Sequence, residues 1–108
     1  MNHNPKRYSI KLTAIFVAFL LATTCIAQAP EPKNGYVPDA KTAIAIAEAV
    51  LSPIYEEKQI QSERPFHAVL KNGVWIVSGS LPEGYEGGVA EIRIDKRTGR
   101  ILSHIHGK

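Results

Sequence analysis

Between Asp39 and Tyr55 the apolar residues fall three and four apart, at Ala40, Ala43, Ile44, Ala47, Val50, Leu51 and Ile54. A period near 3.6 puts them on one stripe, so the segment predicts an amphipathic helix. Asp39 is placed to cap it, because its carboxylate can accept the free amides of the first turn. Thr42 is not the Glu or Gln of a full capping box, and Pro53 ends or kinks the helix. Beyond Pro65 the period falls to two. Phe66, Ala68 and Leu70 alternate with His67 and Lys71, and Asn72-Gly73 is a strong signal for a tight hairpin. Val74–Leu81 returns, apolar on both faces in its first half like a strand covered on both sides. Pro82–Gly88 is turn-rich. Val89–Asp95 alternates again, Lys96–Gly99 reverses the chain with Gly99 suited to positive φ, and Arg100–His106 is the last strand. Gln59–Arg64 reads as a short strand or a loop. The predicted fold class is α+β: one N-terminal amphipathic helix packed on an antiparallel meander of about four strands.

The first 27 residues follow a different pattern. Lys6, Arg7 and Lys11 precede the apolar run Leu12–Ala22, which is too short for a bilayer needing about 20 residues. Its length and flanks are those of a secretory signal peptide, residues 1–27. Cleavage after Ala27 is preferred to cleavage after Ala29, which would leave Pro30 at the new N-terminus. Cys25 offers a lipid-anchor alternative, but Leu21 lies one place too far from it and Thr24 is bulky for that motif. The expected product is exported, periplasmic or secreted, with no stable membrane span after cleavage. Residues 28–38, with Pro30, Pro32 and Pro38, read as a Pro-rich tether, and residues 39–108 as the folded domain.

The leader also accounts for the charge. The formal +3 includes Lys6, Arg7 and Lys11; from Gln28 onward ten basic side chains meet ten acidic ones. The folded part therefore lacks the basic excess that phosphate contacts require, and nucleic acid is not an expected partner. Without Cys25 it has no cysteine, so no disulfide supports a domain of about 80 residues.

Candidate chemistry is sparse. His104 and His106 project from one face of the last strand, opposite Ile101 and Ile105, and with His67 they form the one conceivable metal set. No carboxylate follows locally, so a solvated edge strand is preferred and no metal or cofactor is expected. Ser78 and Ser80 lack the setting of a nucleophile, and Gly84, Gly87 and Gly88 lack the strand-to-helix context of a phosphate loop. Trp75 reads as core. The loop Glu83-Gly-Tyr-Glu-Gly-Gly88 presents Tyr85 between Glu83 and Glu86, and exposed tyrosine is a favoured contact residue. These three are the candidate partner-binding residues.

Three stretches together carry a family resemblance: Pro38–Ala49, then Pro65-Phe66 with Asn72–Val77, then Gly87-Gly88 leading to Ile92–Leu102. Over about residues 37–107 the chain resembles bacterial immunity proteins of nuclear transport factor 2 fold, from polymorphic toxin systems. The resemblance implies a small cone-like fold and a non-enzymatic protein that neutralises a cognate protein toxin by binding it. It carries over no catalytic residues and makes Trp75, Gly87 and Gly88 structural, alongside Asp39 as the helix cap and Gly99 as a turn residue. Glu56-Glu57 stands where a glycine is expected, and the domain is short for a full cone with a deep pocket. Ile94–Ile101 also resembles the Asp-x-x-x-Gly hairpin of PepSY-like envelope modules, which would bind a protease or membrane partner. A small enzyme of the same broad fold ranks third, since no carboxylate or histidine falls at an inward apolar position.

Overall fold

The computed structural model describes residues 28–108. The leader and Cys25 lie outside the described residues. Helix α1 spans Ala40–Tyr55 and short helix α2 spans Glu57–Ser62; β1 (His67–Lys71), β2 (Val74–Ser78), β3 (Ala90–Asp95) and β4 (Ile101–His106) follow. The strands form one antiparallel sheet in the order β1-β2-β3-β4.

Helix α1 forms where the apolar period predicts. Asp39 Oδ1 accepts from the Thr42 amide at 2.8 Å and from the Thr42 hydroxyl at 2.6 Å. These bonds hold the Asp39 carboxyl below its usual range, Thr42 being the chief cause. Ala43, Ala47 and Leu51 are fully buried, so the small residues let the helix lie close on the sheet. Pro53 neither ends nor breaks it; the helix runs on to Tyr55 and stops at Glu56, with φ 72 and ψ 135. That positive φ is one glycine adopts readily, which is why a glycine is expected there. Gln59–Arg64 is not a strand or loop throughout. The reversal at Glu56 starts α2, which buries Ile60 in the core and ends at Glu63.

On the sheet, Ala68, Val77 and Ile92 share one row beneath α1, and Leu70, Trp75, Ile94 and Ile101 the next. Trp75 is 7% exposed, and its indole Nε1 donates to the Val37 carbonyl at 2.8 Å. Val37 is itself fully buried, and the Tyr36 and Val37 amides donate to Arg97 and Lys96 carbonyls. The end of the Pro-rich segment is thus part of the fold.

The other sheet face is uncovered among the described residues. Val69 is 62% exposed and Ile105 59%. A register shift between Arg93 and Ile94 pairs Arg93 with Ser103 and Ile94 with Ile101, leaving Leu102 as the extra residue. The bulge corrects a simple alternation along β4: Ile101 lies on the same face as His104 and His106, and only Ile105 lies opposite.

Candidate partner-binding groove

The strands turn at one end of the sheet through two short connections. At the other end, residues 79–89 join β2 to β3, and this longer loop meets α2 and the last residues of β4. Glu63 organises that junction. It follows α2 directly, its amide donating to the Ile60 carbonyl at 3.1 Å, and it is 2% exposed.

An ionised carboxylate that deep is costly unless donors surround it. Glu63 has three. Oε1 accepts from the Ala90 amide at 2.6 Å; Oε2 accepts from Gln59 Nε2 at 3.1 Å and meets His106 Nε2 at 2.9 Å. Its carbonyl also accepts from the Ser80 amide at 2.6 Å. One residue therefore joins α2, the exit of β2, the start of β3 and the end of β4. Gly79 makes room for it, since a Cβ there would lie 2.7 Å from Glu63 Oε1 and 2.8 Å from Glu63 Cβ.

The charge states follow from the partners. Burial pushes the Glu63 carboxyl up, but bonds from Ala90, Gln59 and His106 outweigh it, and the net shift is downward. His106 Nδ1 faces the Gly107 carbonyl at 2.7 Å while Nε2 faces Glu63. Both neighbours are acceptors, so the ring satisfies both only as imidazolium. The bond to Glu63, then that to Gly107, raises the His106 pKa above its ordinary value against an opposing effect of burial. His104 Nδ1 contacts Tyr55 Oη at 3.0 Å, and the Tyr55 ring lies 5.4 Å from that of His106. The two histidines are therefore not simply solvated: they tie β4 to α1 and to Glu63.

Beside this junction is a groove of about 430 Å³, lined by Gln59, Ser62, Glu63, Leu81, Pro82, Tyr85, Glu86 and Gly88. A turn closed by the Tyr85 amide on the Pro82 carbonyl, with Gly84 at φ 81, shapes one wall. Tyr85 is 71% exposed. Of the candidate contact residues, Tyr85 and Glu86 line the groove, while Glu83 lies in the turn outside the lining. Gly88 passes against the backbone of Gly107, where a Cβ would overlap it. Gly87 has φ 131 and Gly99 φ 78, so both occupy backbone that favours glycine.

The third histidine is elsewhere. His67 begins β1, at the opposite edge of the sheet from β4, and shares its row with Ser78 and Glu91 on the uncovered face. No group of three or more His, Cys, Asp or Glu able to hold a metal occurs among the described residues. The Ser80 hydroxyl donates to the Pro65 carbonyl. The residue that the periodic pattern misses is Glu63, and with it the pairing that gives His106 its role. Glu63 lies between a helix and a strand, where no period applies; its one local signal is Gln59, four residues earlier on the helix.

The described residues thus form a small α+β module, helices on one face of a four-stranded antiparallel sheet, with a polar-floored groove at one sheet end. The sequence matches the NTF2 fold immunity protein family over residues 42–108, and the chain belongs to that family. It is similar to two Escherichia coli K12 proteins, each called an uncharacterized protein. YbbC is 34% identical over 67 residues, 61% of this chain and 55% of YbbC; YhhH is 33% identical over 67 residues, 61% of this chain and 53% of YhhH. The chain thus spans about half the length of these relatives. No solved structure matches. The family carries an immunity role; the Asp95–Gly99 motif on which the PepSY-like reading rests forms the local turn between β3 and β4.

Proposed function

We propose that the protein is an exported immunity protein that neutralises a cognate toxin by direct binding, with no chemical step of its own. Family membership is the observation that carries this reading. The leader pattern adds the compartment: an inhibitor released by cleavage after Ala27 meets its target in the envelope or outside the cell, which favours a toxin acting on wall or membrane. No helix among the described residues is long and apolar enough to cross a membrane. The groove supplies the surface, since Tyr85 offers a large amphipathic contact at low entropic cost and Glu86 stands beside it.

The test is protection. A stoichiometric partner is purified with the protein, and its toxicity is measured in cells producing the full chain or a chain without residues 1–27. The reading expects protection by the full chain and loss of protection without the leader. A partner that is not toxic, or equal protection from the cytosol, would overturn the respective half. Tyr85→Ala should weaken the complex while leaving Tm nearly unchanged.

A further inference from the structure

The groove has two kinds of wall. Leu81, Pro82 and Tyr85 bring apolar surface to the lining, while Glu86, Ser62 and Glu63 bring oxygens. Glu63 is already satisfied by its three donors. Glu86 is different: among the described residues no cation pairs with it, nor with Glu83 in the same turn.

An aspartate or glutamate from a partner would meet these carboxylates as like charges. A purely aliphatic side chain would fill the apolar wall and leave Glu86 desolvated without a partner. A long cationic side chain matches both walls, its methylene stem against Leu81 and Pro82 and its charge at Glu86. Tyr85 selects further. Its exposed face suits a planar guanidinium, which stacks on an aromatic ring while donating in the plane to a carboxylate. An ammonium, compact and strongly hydrated, gains less from both.

We propose that this groove receives an arginine side chain of the bound toxin. The inference rests on the binding reading above and gives the partner a chemistry: a basic residue at the centre of its contact surface.

The experiment uses the purified protein with N-acetyl-arginine amide, followed by amide NMR. N-acetyl-citrulline amide, nearly the same shape without charge, is the control. The expected result is a saturable shift confined to Ser62, Leu81, Tyr85 and Gly88, with a millimolar Kd for the arginine probe and at least about tenfold weaker binding of citrulline, a difference of about 1.4 kcal/mol. Glu86→Gln and Tyr85→Ala, both at exposed positions, should each reduce the arginine affinity several-fold without altering Tm. Absence of a saturable shift, equal binding of the two probes, or indifference to Glu86→Gln would overturn the proposal. Failure here with a toxin complex that still forms removes the arginine anchor alone; failure of protection removes the immunity reading itself.

Discussion

The two ends of the sheet solve the same problem by different means. At the turn end, short segments close on themselves. Asn72 and Gly73, with φ 50 and φ 75, make the β1–β2 hairpin. Asp95 Oδ1 accepts from the Arg97 and Thr98 amides at 2.9 Å, and the Gly99 amide returns to the Asp95 carbonyl at 2.9 Å. The Asp95 carboxyl is held below its usual range, Thr98 first among the causes. Most of the bonds that shape these turns span a few residues; the longer ones join the Lys96 amide to the Gly73 carbonyl and tie Lys96 and Arg97 to residues 31–37. At the groove end almost nothing is local. Glu63 reaches Ala90, 27 residues on, and His106, 43 residues on. Local turns can be rebuilt one at a time; a single shared carboxylate cannot, so damage at Glu63 should spread to three elements at once.

The sharpest way to break this contrast is Glu63→Ala. Removing one member of a buried pair strands His106 and the Ala90 amide, and the expected cost is about 3 kcal/mol, read by denaturant unfolding. Gly79→Val comes next. Its Cβ would displace the Glu63 side chain from below, at about 2 kcal/mol, with loss of hydrogen-exchange protection at Ala90 before the turn end is affected.

Changing pH tests the pair without mutation. The folded pKa of His106 is raised from 6.5, so its contribution is complete below about 6.5 and is lost as pH rises through the folded value. The folded pKa of Glu63 is lowered from 4.5, so its contribution is complete above about 4.5 and is lost as pH falls through the folded value. Tm should therefore peak between about pH 4.5 and 6.5 and fall by a few degrees toward pH 9. His106→Asn should flatten the alkaline side and only shrink the acid-side fall, because Ala90 and Gln59 still hold the Glu63 carboxyl down and Asp39 and Asp95 also contribute.

These effects mark what was legible in the sequence. The covered face of the sheet could be read because each buried position, Val77, Ile92 or Ala47, obeys a period of two or 3.6. The turn end could be read because Asn72-Gly73 and Asp95–Gly99 are local chemistry. The groove loop was located through Tyr85 and its neighbouring glutamates, but what holds it was not. Glu63 lies outside any periodic segment, and its partners are distant in sequence. The bulge at Leu102 was equally hidden, since alternation alone places Ile101 on the wrong face. By composition Val37 belongs with the prolines before it, yet the Trp75 indole bond to its carbonyl holds it inside the fold.

Two smaller substitutions sharpen the contrast. Glu56→Gly relieves the positive φ between α1 and α2 and should raise stability by about 1 kcal/mol, with a rise in Tm as the readout. Asp95→Asn retains an oxygen for the Arg97 and Thr98 amides. It should leave Tm near neutral pH almost unchanged while shrinking the acid-side fall, which a pH series of melting curves would detect.

The central claim is that Glu63, ionised and buried, assembles the groove end through His106. Its most direct test is an NMR titration of the His106 ring in the native protein and in Glu63→Gln. The native ring should titrate above the ordinary histidine value, and the amide variant should bring it back to that value or below. An unshifted native ring, or the same midpoint in both proteins, would contradict the claim.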